Sequence, residues 1–175
     1  MRTELRFAGF GGQGVIMMGH IMGKAAVIDG KNVTLTQSYG PEARGGACSV
    51  DVIVSDGEIY YPHVREPDVL VIMSQSALKS YASNVKKDGI LLVDNGLVEC
   101  SKIDMEVKGL PATEFAKDEL NTRIVSNIVM LGFLVGVTEL VDVSSMKEAI
   151  RSLVPGGTED KNIDAFEIGY QEGKK

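Results

Sequence analysis

Residues 4–30 read ELRFAGFGGQGVIMMGHIMGKAAVIDG, and their pattern changes period once, at the glycines. The segment ELRFAGF alternates as a short strand does. From Val15 the apolar positions Val15, Met18, Ile21, Met22, Ala25 and Ala26 recur at helical spacing, and Gly30 is a natural terminator. A strand that passes through GFGGQG directly into a helix is an opening unit of an α/β fold.

The rest of the chain continues that alternation. NVTLTQ (32–37) predicts a second strand and ACSVDVIVSD (47–56) a third. SDGE then has a turn signature, so EIYYP (58–62) is expected to return as the antiparallel partner of a β-hairpin. PDVLVIM (67–73) is a continuous apolar run, as a parallel strand buried on both faces requires. SQSALKSYASNVKKDG (74–89) predicts a helix capped by Ser74 or Ser76. GILLVDNG (89–96) and DMEVKGLP (104–111) predict further strands. ATEFAKDEL (112–120), TRIVSNIVMLGFLVGVTEL (122–140) and SSMKEAIRSLV (144–154) predict helices, the last capped by Ser144 or Ser145. In the tail, Ile163, Phe166 and Tyr170 keep helical spacing. The expected fold is α/β: a single Rossmann-like domain over 1–175, with an open, mostly parallel sheet, flanking helices, one β-hairpin and a helical C-terminal part.

Bulk properties restrict the function. The 175 residues are 44% hydrophobic and 24% charged, with no Trp, so one compact domain with an aliphatic core is expected. A net charge of -6 argues against general nucleic-acid binding, which needs clustered Lys and Arg. Cys48 and Cys100 are too few for an ordinary iron–sulfur cluster or a Cys-rich zinc site, and read as reduced, inert thiols of a cytoplasmic protein. The N-terminal stretch lacks a basic-then-apolar leader. The apolar run at 124–137 is shorter than a membrane span and carries Ser126 and Asn127, so it reads as a core helix.

Two glycine-rich segments carry the candidate site. GFGGQG (Gly9–Gly14) satisfies G-x-G-x-x-G after a strand and before a helix, the context of the dinucleotide fingerprint. There Gly9, Gly11, Gly12 and Gly14 permit a tight turn. Free N–H groups at the helix start attract a phosphate or carboxylate, and Gln13 adds an amide. The alternative is that Gly9 and Gly14 only let helix and sheet pack. An ordinary NAD site wants an acid at the end of the second strand; here that strand ends in Gln37 and Ser38, which disfavours it. SYGPEARGG (Ser38–Gly46) is expected at the same rim. Arg44 can fork onto phosphate or carboxylate, Glu42 orients or neutralises it, Tyr39 offers a flat face with a hydroxyl, and Gly45 and Gly46 allow close approach. The alternative is an internal Glu42–Arg44 pair that fixes a corner.

Taken together and in order, GFGGQGV (9–15), SYGPEARGG (38–46), PDVLVIMSQ (67–75), NIVMLGFLVG (127–136) and AFEIGY (165–170) resemble the gamma subunit of the 2-oxoacid:ferredoxin oxidoreductases. The YGPEARGG form is more similar to the 2-oxoglutarate and branched-chain oxoacid branches than to the pyruvate branch. The resemblance implies a complex that oxidatively decarboxylates a 2-oxoacid, first of all 2-oxoglutarate, to its acyl-coenzyme A and reduces ferredoxin. It implies that thiamine diphosphate, Mg2+ and iron–sulfur clusters sit on alpha, beta and ferredoxin-like delta subunits. This chain then holds no catalytic or metal-binding residue, borders the coenzyme A site and is inactive alone, with a homodimer as its isolated form. The alternatives are a pure docking subunit of the same complex and a free-standing nucleotide-binding Rossmann protein.

Other residues carry blander expectations. His20, inside the first helix's apolar run, reads as a satisfied structural histidine, and His63 as a turn residue. Asp94 and Asn95 end a buried strand at the ligand edge, where turn capping also explains them. Asn127 reads as an interface or core-network residue.

Overall fold

The computed structural model of the chain describes residues 1–40, 46–101, 103 and 105–175. The described residues hold strands β1 (Arg2–Phe10), β2 (Asn32–Tyr39), β3 (Ala47–Ser55), β4 (Val69–Ile72), β5 (Ile90–Asp94) and β6 (Glu106–Leu110). They form one sheet in the order β2-β3-β1-β4-β5-β6. Pairs β1·β4, β4·β5 and β5·β6 are parallel, whereas β1·β3 and β3·β2 are antiparallel. The helices are α1 (Val15–Ile28), α2 (Gln75–Tyr81), α3 (Ala112–Leu120), α4 (Ser126–Thr138), α5 (Val143–Leu153) and α6 (Glu159–Gly173). None of them is long and apolar enough to cross a membrane, among the described residues.

The mostly parallel α/β sheet agrees with the sequence reading, but the hairpin lies elsewhere. Glu58–Pro62 forms no strand. The hairpin is β2–β3, closed by the segment that carries the second glycine motif. The reason is occupancy. β3 pairs along its whole length with β1 (Arg2↔Ser55 to Phe10↔Ala47) and with β2 (Asn32↔Ser55 to Tyr39↔Cys48), so no edge remains for 58–62.

One face of the sheet carries the larger core, under α1, α4, α5 and α6, and the other a smaller one under α2. The core-helix reading of 124–137 holds: α4 is buried from Ser126 to Gly136. It meets α6 backbone to backbone. Gly132 lies on the Phe166 carbonyl and Gly169 on the Val129 carbonyl. A Cβ at Gly136 would come within 2.6 Å of the Tyr170 carbonyl oxygen, and one at Gly173 within 2.6 Å of that of Phe133. Two Gly-x-x-x-Gly stripes thus face one another, because only glycine lets helix axes come this close.

On the opposite face Arg6 (β1) and Asp51 (β3) are register partners. Arg6 Nε and Nη2 donate to the two Asp51 oxygens at 2.7 and 2.8 Å, and Nη2 also donates to the Val64 carbonyl at 2.8 Å. The Asp51 carboxylate holds the guanidinium pKa above its ordinary value, against the cost of burial. Sequence reading passed over this pair, because nothing local places residues 6 and 51 together.

Of the expected caps, Ser74 accepts from the Ala77 N–H at 3.3 Å. Ser144 and Ser145 do not cap: α5 begins at Val143, after Asp142. The helix thus starts ahead of both serines, where the Asp142 N–H donates to Asp29 Oδ2 at 2.8 Å.

Candidate functional site

β1 and β2 run in the same direction, so the glycine turn after β1 and Tyr39 at the end of β2 reach the same rim. The Gly11 N–H donates to the Gly46 carbonyl at 2.8 Å, joining the two motifs directly.

The turn divides its residues by task. Gly9 leaves no room for a side chain: a Cβ there would lie 2.5 Å from Gln13 Oε1 and 2.9 Å from Val15. Gly14 caps α1 with a left-handed backbone, φ 73°, and abuts the Asn127 amide. The packing alternative therefore describes Gly9 and Gly14. Gly12 differs. Its φ is 100° and no atom lies within 4 Å of where a Cβ would sit, so its backbone faces open space.

Gln13 is a brace. Its Oε1 accepts from the Phe10 N–H at 2.7 Å, and its Nε2 donates to the Met73 carbonyl at 2.7 Å. The amide expected to serve a ligand is thus engaged in tying the turn to the end of β4. Met18 makes the first intrahelical bond, to the Gly14 carbonyl. The N–H groups of Val15, Ile16 and Met17 precede it without intrahelical acceptors, and no acid lies in that first turn. The helix start is accordingly a positively polarised end.

A cleft of about 400 Å³ opens beside Gly12 and Gly14. Its other walls come from far along the chain: Ile124 and Asn127 at the start of α4, and Pro155, Lys161 and Asn162 around the start of α6. Asn127 is 6% exposed and its Nδ2 donates to the Gly14 carbonyl at 3.3 Å, which places it in a core network. Asn162 donates to the Thr158 carbonyl at 2.9 Å. Lys161 stands exposed at the mouth, and Ile124, 86% exposed, forms the lip. Sequence reading missed Lys161 and the α5–α6 corner, since more than a hundred residues separate them from the glycines.

Tyr39 is 65% exposed at the end of β2. Its hydroxyl donates to Gln37 Oε1 at 2.6 Å, and Gln37 Nε2 meets His20 Nε2 at 2.7 Å. His20 is exposed, on the side of α1 that faces the edge strand, and its bond to Gln37 agrees with the reading of a satisfied structural histidine. Of the predicted site residues, the structure brings Gly9, Gly11, Gly12, Gln13, Gly14, Tyr39 and Gly46 to one rim. Glu42, Arg44 and Gly45 lie outside the described residues.

Asp94 belongs to the scaffold. It is fully buried. It accepts from the Gly96 N–H at 3.1 Å and from the Thr113 N–H and hydroxyl at 3.0 and 2.5 Å, fastening α3 to β5. Burial pushes its pKa above its ordinary value, against these bonds. Burial also raises both cysteine thiols, which suits inert side chains.

Known proteins give this geometry its context. The family described as pyruvate ferredoxin/flavodoxin oxidoreductase matches residues 4–172. The 2-oxoglutarate synthase subunit KorC of Methanocaldococcus jannaschii is 47% identical, over 100% of this chain and 96% of that protein. The crystal structure of a keto/oxoacid ferredoxin oxidoreductase gamma subunit from Geobacter sulfurreducens superposes with a TM-score of 0.87 at 38% identity, covering 98% of both chains. The fold also recurs in 31% of a chain of the Magnetococcus marinus 2-oxoglutarate:ferredoxin oxidoreductase, with a TM-score of 0.89 at 23% identity over 99% of this chain; that structure holds 2-oxoglutarate, coenzyme A and succinyl-CoA. Matched across almost its whole length, the chain belongs to the pyruvate ferredoxin/flavodoxin oxidoreductase family.

Proposed function

We propose that the chain is the gamma subunit of a 2-oxoglutarate:ferredoxin oxidoreductase and that its glycine rim borders the coenzyme A site. The full-length likeness to KorC supports the enzyme and substrate. One geometric observation carries the site: the open Gly12 backbone, the start of α1, which has no side-chain cap, and Lys161 share a largely apolar cleft. An extended ligand with an apolar arm and phosphate groups matches such a lining. N–H groups of the α1 start would hold an anionic group, and Lys161 would add a point charge at the mouth. Arg44, with Glu42, Gly45, Gly46 and Tyr39, would extend the same rim.

In this reading the complex converts 2-oxoglutarate and coenzyme A to succinyl-CoA and CO2 and passes two electrons to ferredoxin. Thiamine diphosphate with Mg2+ supplies the electron sink, and iron–sulfur clusters carry the electrons. Two cysteines do not fit a cluster's four thiolate ligands, which supports placing the clusters on partner subunits; with thiamine diphosphate and Mg2+ also assigned to the alpha, beta and delta partners, the isolated chain would not turn over substrate.

The test uses the reconstituted complex with coenzyme A varied. Gly12→Ala and Lys161→Ala should raise KM for coenzyme A, with assembly intact and kcat little changed. A second reading, pure docking, is favoured by the exposed apolar groups at this rim, Phe10 (40%), Tyr39 and Ile124. Loss of assembly with an unaltered KM would select it. NAD reduction by the isolated chain would refute both.

A further inference from the structure

We infer that Gln13 is a positioning residue for coenzyme A: it binds no part of the ligand, and its amide holds the Gly11–Gly14 turn in the shape that receives it. The inference rests on the coenzyme A reading of the cleft beside Gly12 and deepens it.

Between Phe10, the last residue of β1, and Val15, the first of α1, lie four residues, three of them glycine. Glycine loses more conformational freedom on being fixed than any other residue, so such a linker stays ordered only where contacts hold it. Three tethers do so. The Gly11 N–H donates to the Gly46 carbonyl at 2.8 Å. On the helix side, the Gly14 carbonyl accepts from the Met18 N–H at 3.1 Å and from Asn127 Nδ2 at 3.3 Å. Gln13 supplies the third tether with the one side chain the linker possesses.

That side chain closes the turn and fastens it. The Gln13 N–H donates to the Phe10 carbonyl at 3.1 Å, and the Phe10 N–H donates to Gln13 Oε1 at 2.7 Å, so the turn is shut by two bonds. Nε2 then donates to the Met73 carbonyl at 2.7 Å, at the end of β4. Met73 is a fixed point, buried and with its own N–H on the Ala8 carbonyl at 2.9 Å. One partner of Gln13 is a donor and the other an acceptor, so the pair demands a tip that carries both an oxygen and an N–H. Gly9 completes the fit, since a Cβ there would lie 2.5 Å from Oε1.

With both ends of the Gln13 amide engaged by backbone, the turn keeps one donor in reserve. The Gly12 N–H has no acceptor among the described residues, and Gly12 lines the cleft. Fixing this group before coenzyme A arrives removes the ordering of the turn from the binding step.

The test uses the assembled complex with coenzyme A varied, together with hydrogen exchange over residues 9–15 with and without coenzyme A. Gln13→Met keeps the side chain's length and removes both side-chain bonds. Gln13→Asn keeps the amide, is too short to span both partners, and serves if the first variant fails to assemble. Each should raise KM for coenzyme A about tenfold, with kcat and KM for 2-oxoglutarate little changed. Each should also exchange faster over residues 9–15, and coenzyme A should restore the lost protection; in the parent it adds little, because the turn is already held. If Gly12→Ala and Lys161→Ala raise KM and the Gln13 variants do not, the inference fails and the coenzyme A reading stands. If none of these variants moves KM, the coenzyme A reading fails and the inference with it. A turn as protected in the Gln13 variants as in the parent would also overturn the inference, since the other tethers then suffice.

Discussion

Gly11 donates its N–H to the carbonyl of Gly46 at 2.8 Å, across 35 positions of sequence. This bond makes one rim out of two glycine motifs. It forms because β3 enters the sheet between β1 and β2 and runs against both, which brings its first residues back to the turn that ends β1.

Within the glycine turn, stability and ligand binding should separate by residue. Gly12→Ala meets no neighbour and suffers only its positive φ, a cost of about 1 kcal/mol. Gly14→Ala combines a positive φ with a clash against Asn127 and should cost about 3 kcal/mol. Urea unfolding of the two variants measures the difference. Equal costs would mean that Asn127 yields freely.

Gly169→Ala tests the α4–α6 contact. Alanine favours a helix over glycine by about 1 kcal/mol, so an uncrowded site would gain stability. Here the new methyl group meets the Val129 carbonyl, and we expect a net loss of about 3 kcal/mol, with a lower midpoint in urea and an unchanged slope. A more stable variant would show that the helices separate at little cost.

The Arg6–Asp51 pair should behave as a buried ion pair. Arg6→Ala leaves the partly buried Asp51 without its partner and should cost about 2–3 kcal/mol. Replacing both, Arg6→Met with Asp51→Leu, should fall within about 1 kcal/mol of the parent, because no charge is then stranded. A double variant as unstable as the single one would contradict this account.

The Asp94 carboxyl sets a pH signature. Its pKa is higher folded than unfolded, since burial outweighs the bonds from Thr113 and Gly96. Such a group favours the folded state below its unfolded value, about 4, and that contribution disappears as pH climbs through the folded value. Asp94→Asn cannot titrate. Wild-type stability relative to this variant should therefore decline from about pH 4 upward. Unfolding curves at several pH values check the sign. A relative gain with pH would mean that the hydrogen bonds prevail over burial.

Several features were readable from residues alone. The change of period at Gly9–Gly14 announced β1, the turn and α1. The all-round apolar stretch from Ile124 announced a core helix, and unbroken runs such as VLVI marked strands covered on both faces. The motif order also pointed to the family that the comparisons then established. Other features were not legible. Glu58–Pro62 looked like a strand because its local pattern allows one, yet β3 had no free side to accept it. That His20 finds its partner in Gln37, seventeen residues on, was not legible either.

The order of residues dictates local features: where strands and helices begin, which runs must be buried, and where the backbone can turn sharply. Side-chain periodicity and glycine stereochemistry act over a few residues, so they are written in the order of the letters. The strand order, the role of Gln13 as a brace, the Gly132–Gly169 crossing and the cleft shared by Gly12 and Lys161 arise from long-range packing. Each of these depends on which distant surfaces compete successfully for one another, and that contest is resolved only when the whole chain packs at once.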